Sequence, residues 1–122
     1  MKIYCDGSGF NGKVSGYTVL QDGQEPLVME FKENFTSNEM EYQAVIKSLE
    51  IASEGDEIFS DSRLVVEQTK GNWAIKTKSL LPYAQRANEL LQEKKCSLSW
   101  VPREENLAGL ARENKTYMPK IK

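Results

Sequence analysis

The chain has 122 residues, of which 39% are hydrophobic and 28% are charged, a mixture typical of one globular domain over residues 1–122. Its formal net charge of -2 excludes a protein that holds nucleic acid by bulk positive charge. No histidine is present, which excludes His-dependent triads and His-ligated zinc, and the two cysteines are too few for a zinc cage. No apolar run approaches the roughly 18 residues of a membrane span. With no secretory signal visible, we expect a cytoplasmic location. We also expect a monomer without membrane association.

The first part of the chain predicts three antiparallel strands followed by a helix. Residues 1–5, 14–20 and 27–31 are the strand candidates, and Gln21-Asp22-Gly23 between the last two is a hairpin signal. Thr36 and Glu39 match a capping box. Apolar residues then recur at helical spacing, and the helix is expected to end near Gly55.

The rest of the chain predicts alternating strands and helices. Residues 57–60 form a short buried strand, a short helix is stopped by Gly71, residues 79–95 form the clearest helix, residues 96–100 a half-buried strand, and residues 106–113 a last helix. Four basic residues and one acid follow from Arg112 onward, and residues 115–122 are expected to form a loose basic tail. This order implies an α/β fold whose sheet begins antiparallel and continues by parallel crossovers.

Three acidic residues stand where such a sheet usually carries its chemistry. Asp6 and Asp61 are placed at the carboxyl ends of two strands, and Glu41 lies near the start of the first helix. Three carboxylates without His or Cys suit Mg²⁺ or Mn²⁺. Two such ions can activate water and stabilise the leaving oxygen of a phosphodiester, so the pattern favours phosphoryl hydrolysis.

Each acid also has a structural alternative. Asp6 before Gly7 is common in turns. Asp61 suits the N-cap of the following helix. Glu41 could close a cap variant with Asn38 or be a solvated helix residue. Only the placement of all three against the order of elements weakens these alternatives together.

Four motifs in order resemble type 1 ribonuclease H. They are Ile3-Tyr4-Cys5-Asp6-Gly7-Ser8, the helix entry from Thr36 to Ala44, the strand-to-helix stretch from Phe59 to Val66, and the final stretch from Trp100 to Ala108. The resemblance implies a five-stranded mixed sheet of order 3-2-1-4-5, with strand 2 antiparallel and helices on both faces. The short stretch between Gly71 and Ser79 resembles the compact members that lack a basic protrusion.

The resemblance also implies an activity and a set of site residues. The family cleaves the RNA strand of RNA–DNA hybrids with two divalent ions, leaving a 5′-phosphate and a 3′-hydroxyl. Asp6, Glu41 and Asp61 would hold two Mg²⁺ or Mn²⁺ ions. The expected substrate contacts are Ser8, Ser37, Asn38 and Arg63, with Trp73 and Lys76 from the loop after Gly71. The alternative for that loop is that Trp73 packs on the sheet and Lys76 is solvated.

One departure from the family pattern bears on activity. The family has a fourth acid at the end of an N-x-x-A-D motif, and that position is assigned here to Gly109. Glu113, four residues on, lies on the same helix face and is a candidate substitute as a catalytic and metal-binding residue. The leading hypothesis is therefore a hybrid-specific endoribonuclease. The alternatives are a weakened module that binds hybrid or double-stranded RNA, and a nuclease of the same fold that acts on double-stranded RNA or structured DNA.

Overall fold

The computed structural model describes residues 1–114 and 120–121. Its strands are β1 (Lys2–Ser8), β2 (Ser15–Gln21), β3 (Leu27–Phe31), β4 (Glu57–Ser60), β5 (Ser97–Trp100) and β6 (Lys120–Ile121). Its helices are α1 (Ser37–Ile51), α2 (Arg63–Thr69), α3 (Leu81–Lys94) and α4 (Leu107–Asn114), with 3₁₀ turns at Lys78–Leu80 and Arg103–Glu105.

All six strands form one mixed sheet of order β5-β4-β1-β2-β3-β6. β2 is antiparallel to both β1 and β3, while β4 and β5 run parallel to β1. The predicted order 3-2-1-4-5 is confirmed, and helices flank the sheet on both faces. Among the described residues, no helix is long and apolar enough to cross a membrane.

The sheet also has a short strand that the sequence did not predict. Lys120–Ile121 pairs in parallel with β3, with Met29 opposite Lys120, so this part of the predicted loose tail is a strand. The prediction was wrong there because edge backbone groups can pair without any side-chain pattern. Residues 115–119 and 122 of that tail lie outside the described residues.

α1 begins where the sequence predicts. The Thr36 side chain accepts a hydrogen bond from the Glu39 backbone at 3.1 Å, and the Glu39 carboxylate accepts one from the Thr36 backbone at 2.9 Å. This capping box satisfies backbone donors that the first turn of a helix leaves unpaired. The helix ends at Ile51, earlier than predicted, and Gly55 instead takes a positive φ of 86° in the turn before β4. The rigid start of α1 holds Asn38 and Glu41 in place.

Gly7 allows α1 to lie directly on β1. A Cβ built on Gly7 would come within 2.4 Å of the backbone nitrogen of Glu41 and the backbone carbon of Met40. Atoms cannot approach so closely, so any side chain at this position would push the helix away. The two elements that carry Asp6 and Glu41 therefore touch at a residue without a side chain.

The core forms between the sheet and the helices packed on it. Ile3, Ile58, Tyr42 and Leu49 are fully buried, and α3 packs on α1. α4 also packs on β1 and β2. These contacts fix both helices that supply groups to the candidate site.

Candidate active site

Three carboxylates converge at the carboxyl ends of β1 and β4. One oxygen each from Asp6, Glu41 and Asp61 lies within 4.8 Å of the others. Asp6 is buried, whereas Glu41 and Asp61 are partly buried. β1 continues to Ser8, so Asp6 lies inside the strand opposite Thr18 and not at its end, as the sequence suggested. Asp61 directly follows β4.

Asp6 and Glu41 reach the site from different sides of the sheet. Side chains alternate along a strand, and Gly7 faces α1, so Asp6 faces the opposite side, where it contacts α4. The Glu41 side chain lies against β1 at Gly7, where no side chain stands in its way. The backbone N–H of Gly7 donates a hydrogen bond of 2.6 Å to Oε1 of Glu41. The missing side chain of Gly7 thus brings the acids together.

None of the three acids has the structural role that was open as an alternative. Asp6 lies in a strand and not in a turn. The N-cap of α2 is Ser62, whose Oγ accepts from the backbone of Val65 at 3.3 Å, so Asp61 is free of that role. The carboxylate of Glu41 accepts from Gly7 and does not cap α1.

A protein donor holds one oxygen of each carboxylate. Gly7 holds Oε1 of Glu41, the Nδ2 group of Asn106 donates to Oδ2 of Asp61 at 3.1 Å, and Nη2 of Arg112 contacts Oδ2 of Asp6 at 2.5 Å. Charge-assisted contacts of this kind are short and orient both partners. The carboxylates are therefore pre-positioned with one oxygen each turned to a protein donor.

Burial and the repulsion of neighbouring carboxylates disfavour the charged forms of Asp6 and Glu41. Burial raises the pKa of Asp6 from 3.8 to about 6; Arg112 opposes that shift, and Asp61 adds to it. Burial also raises the pKa of Glu41 well above its usual value, and the charges of Asp6 and Asp61 raise it further. A divalent cation would relieve this repulsion, because opposite charge favours ionised carboxylates.

The donor set fits a hard divalent cation. Carboxylate oxygens are the ligands preferred by Mg²⁺ and Mn²⁺. Asp6, Glu41 and Asp61 would hold the ion, which when bound supplies Lewis acidity at a phosphodiester and lowers the pKa of water. Among the described residues, these three form the only such acidic cluster.

Glu113 does not join the cluster. Its carboxylate lies 3.7 Å from the guanidinium of Arg103, and its side chain is 55% exposed. Arg112, one residue earlier on α4, is the residue that turns inward. The structure therefore does not place Glu113 where it could substitute for the missing fourth acid. Adjacent helix residues point in different directions, so Arg112 and Glu113 cannot both face the cluster.

Gly109 occupies the place on α4 that faces the acidic cluster. Strict N-x-x-A-D spacing counted from Asn106 would put the acid one residue further along, at Leu110. Gly109 is buried, and a Cβ there would lie 3.3 Å from Oδ2 of Asp6 and 3.9 Å from Oδ2 of Asp61, so a side chain at this position would point into the cluster. Leu110 is 37% exposed. Neither residue carries a carboxylate, so the fourth acid is absent at both positions.

Five of the six predicted substrate residues fall into three places. Asn38, Trp73 and Lys76 line one cavity of about 590 Å³, and Trp73 is 46% exposed rather than packed on the sheet. Ser37 lies against Gly9, whose Cβ would come within 2.7 Å of Ser37 Oγ. Ser8 lines a separate cavity of about 140 Å³ together with Arg112.

Arg63, the sixth predicted substrate residue, lies at the start of α2. Its guanidinium stacks over the Trp100 ring at 4.3 Å, and Trp100 Nε1 donates to the backbone carbonyl of Asp61 at 3.0 Å. Such stacking fixes the direction of the charge. Arg63 is thereby held two residues from a cluster acid.

Sequence reasoning missed the roles of Asn106 and Arg112. Asn106 is fully buried and donates to both Cys5 O and Asp61 Oδ2, which ties the start of α4 to β1 and to the site. Its place in the last motif was a usable signal. Arg112 was counted with the basic tail, and only its position one turn after Gly109 on α4 could have suggested otherwise.

A family model described as RNase H matches residues 1–116, and the chain belongs to this family. The N-terminal RNase H domain of a Mycobacterium tuberculosis protein, solved as a fusion with maltose binding protein, is 26% identical with a TM-score of 0.73, covering 93% of each chain. RNase H1 from the archaeon Halobacterium salinarum is 26% identical with a TM-score of 0.74, covering 90% of this chain and 91% of that one. An RNase H1 solved in complex with an RNA/DNA hybrid is 24% identical with a TM-score of 0.68, covering 87% and 88%; at this identity it supports the fold.

Proposed function

We propose that the chain is an endoribonuclease that cleaves the RNA strand of RNA–DNA hybrids with the help of divalent metal ions. The observation that carries the proposal is the cluster of Asp6, Glu41 and Asp61 within 4.8 Å in a member of the RNase H family. The products would be a 5′-phosphate and a 3′-hydroxyl. The two-ion mechanism implied by the resemblance needs a further carboxylate, and the described residues do not bring one to the cluster.

The residues around the acids support binding of a hybrid. Asn38 lies three residues before Glu41 on α1, so both occupy neighbouring turns of one helix face. A side-chain amide beside a shallow groove can distinguish RNA from DNA through 2′-hydroxyls. Trp73 and Lys76 offer an exposed ring and a cation to the DNA strand. A structural relative has been solved with an RNA/DNA hybrid, which adds support for this substrate class.

The arrangement assigns a task to each element of the site. Gly7, Asn106 and Arg112 orient the three carboxylates before substrate arrives. Pre-oriented groups lower the barrier because they need no rearrangement when charge develops on the phosphate. Arg63, held by Trp100, presents a fixed positive charge near Asp61 and is suited to a backbone phosphate.

The test is cleavage of a labelled RNA–DNA hybrid in Mg²⁺ and then in Mn²⁺. We expect cleavage of the RNA strand by the native chain and by Asp22→Asn, an exposed turn residue that serves as the matched control. Asp6→Asn should lose the activity. Duplex DNA and double-stranded RNA run beside the hybrid to define the substrate. No cleavage of the hybrid in either ion would contradict the proposal.

A second candidate function is a module that binds hybrid or double-stranded RNA and cleaves it poorly. The specific observation in its favour is that Arg112 contacts Asp6 while no fourth acid is present. Hybrid binding with no cleavage, unchanged in Asp6→Asn, would select this function.

The location and assembly of the protein are part of the same proposal. Cys5 and Cys96 are free thiols, which supports a reducing compartment such as the cytoplasm. A monomeric state stays a prediction.

A further inference from the structure

The guanidinium of Arg112 occupies a place in the acidic cluster where a cation is needed. Its Nη2 contacts Asp6 Oδ2 at 2.5 Å, and the two side chains are 25% and 7% exposed. α4 presents Arg112 one turn after Gly109, and a Cβ on Gly109 would itself lie near the carboxylates of Asp6 and Asp61. The inner face of α4 thus brings a positive charge to this cluster and no carboxylate.

The hydrogen bonds leave the acids with few free oxygens. Asp6, Glu41 and Asp61 each have one oxygen engaged by Arg112, Gly7 and Asn106 respectively. Among the described residues, no other side chain donates a hydrogen bond to these carboxylates, and the Gly7 backbone also donates toward Asp6. One free oxygen from each acid makes three protein ligands, which suits one ion that completes its shell with water and substrate.

The balance of charges also indicates a single divalent ion. Three carboxylates carry at most three negative charges, and a guanidinium with one divalent ion carries three positive ones. Before substrate binds, a second divalent ion would leave an excess of positive charge in a partly buried site, where such an excess is costly. The nearby Arg103 and Glu113 pair with each other at 3.7 Å and do not change this balance.

One hydrogen-bond donor group of Arg112 remains available for another acceptor. Its Nη1 is buried and has no hydrogen-bond partner among the described residues. A buried N–H without a partner is costly, and a charged donor more so. A phosphate oxygen is the kind of acceptor that a guanidinium binds best.

We propose that Arg112 replaces one of two metal ions, so that the site binds a single divalent ion and the guanidinium supplies the remaining positive charge to the substrate phosphate. The ion count stands on the geometry of the cluster. The role toward phosphate rests on the proposed hybrid cleavage.

The first test counts Mn²⁺ ions bound per chain by electron paramagnetic resonance of the free ion. We expect one ion at saturation for the native chain and for Arg112→Lys, which keeps the charge. Two ions bound to the native chain with comparable affinity would overturn the proposal. This count needs no activity, so it separates failure of this proposal from failure of hybrid cleavage.

The second test compares Mn²⁺ affinity with hybrid cleavage in Arg112→Gln. Removing a positive charge beside the ion should tighten Mn²⁺ binding by about tenfold or more, while losing the charge toward phosphate should slow cleavage by about tenfold or more. Arg112→Lys should recover part of the rate. Arg86→Gln, a surface arginine on α3 that pairs with Glu89, is the matched control and should change neither quantity.

In Arg112→Gln, higher Mn²⁺ affinity together with slower cleavage distinguishes the proposed role from two alternatives, competition with the metal ion and a purely structural role. If Arg112→Gln binds Mn²⁺ more tightly and also cleaves faster, Arg112 is a competitor of the metal ion and the proposal is wrong. If both quantities stay at their native values, Arg112 is only structural and the proposal is equally wrong.

Discussion

At the scale of single residues, the site combines buried acids, which destabilise the folded state when they are charged, with hydrogen-bond donors that hold them in place. Burial raises the pKa values of both Asp6 and Glu41, since the charged carboxylates lose water. Gly7, Asn106 and Arg112 offset part of this cost by donating to the same acids. Active sites often keep such unfavourable arrangements because the function needs them.

Glu41→Gln should stabilise the metal-free protein and abolish cleavage. The pKa of Glu41 is raised in the folded state, so its contribution to stability is present below its ordinary pKa of 4.5 and is lost as pH rises through the folded value. Glutamine can still accept from Gly7 but carries no charge. In urea unfolding with a chelator, the advantage of the variant should grow from pH 5 to pH 8.

The control for this prediction is Glu50→Gln, an exposed position on the same helix. Its free energy of unfolding should follow that of the native chain at both pH values. A Glu41→Gln variant less stable than the native chain at pH 8 would show that the ionised carboxylate stabilises the metal-free fold.

At the scale of elements, the site depends on how closely α1 approaches β1 and on the loop before α3. The approach is set by Gly7 and Gly9, where a Cβ would come within 2.4 Å and 2.7 Å of α1 atoms. The loop between α2 and α3 presents Trp73 and Lys76 beside Asn38 at the start of α1. Two local contacts therefore place the proposed catalytic and substrate-binding surfaces next to each other.

Gly7→Ala should destabilise the protein by about 3 kcal/mol or more, because its methyl group would overlap backbone atoms that cannot move separately. Urea unfolding measures the loss. Gly23→Ala is the control: Gly23 has a φ of 80° and open space around it, so only conformational strain of about 1 kcal/mol is expected. Equal losses in the two variants would mean that α1 tolerates displacement from β1.

Trp73→Ala should weaken hybrid binding by about 1 to 3 kcal/mol, the usual worth of a ring that stacks on a nucleic acid base. Binding is measured by fluorescence anisotropy with the chelator present, so that cleavage does not interfere. Leu81→Ala, another exposed apolar residue, is the control outside the cavity. Native affinity in Trp73→Ala would remove this loop from the proposed interface.

At the scale of the whole molecule, one cation would connect three separate parts of the chain. Asp6 lies on β1, Glu41 on α1 and Asp61 after β4, so an ion bound by all three exists only in the folded state. A ligand that binds the folded state alone stabilises it in proportion to the logarithm of its concentration. The metal site and the global fold are therefore linked.

Mn²⁺ should raise the midpoint of thermal unfolding. At about one hundred times its dissociation constant the gain is about 2.7 kcal/mol. The measurement compares melting with a chelator and with excess Mn²⁺. Asp61→Asn should lose most of the increase, whereas Asp22→Asn in the β2–β3 turn should keep it. An equal increase in both variants would place the ion elsewhere.

The sequence by itself determined the order of strands and helices along the chain, the capping box and the three acids, while the order of strands in the sheet came from the resemblance to type 1 ribonuclease H. These features depend on local periodicity, on side chains close along the chain and on residue types, all of which are readable without coordinates. The absence of an acid from the last motif was also readable, and the structure shows that Gly109 holds the place facing Asp6 and Asp61.

Only the tertiary structure decided which α4 side chain enters the site. Glu113 and Arg112 are neighbours in sequence, but α4 turns one toward Arg103 and the other toward Asp6. Only the tertiary structure likewise shows β6, which pairs with β3 through backbone groups. Contacts between residues far apart in sequence depend on the packing angle of a helix and on free strand edges, and neither leaves a pattern in the sequence.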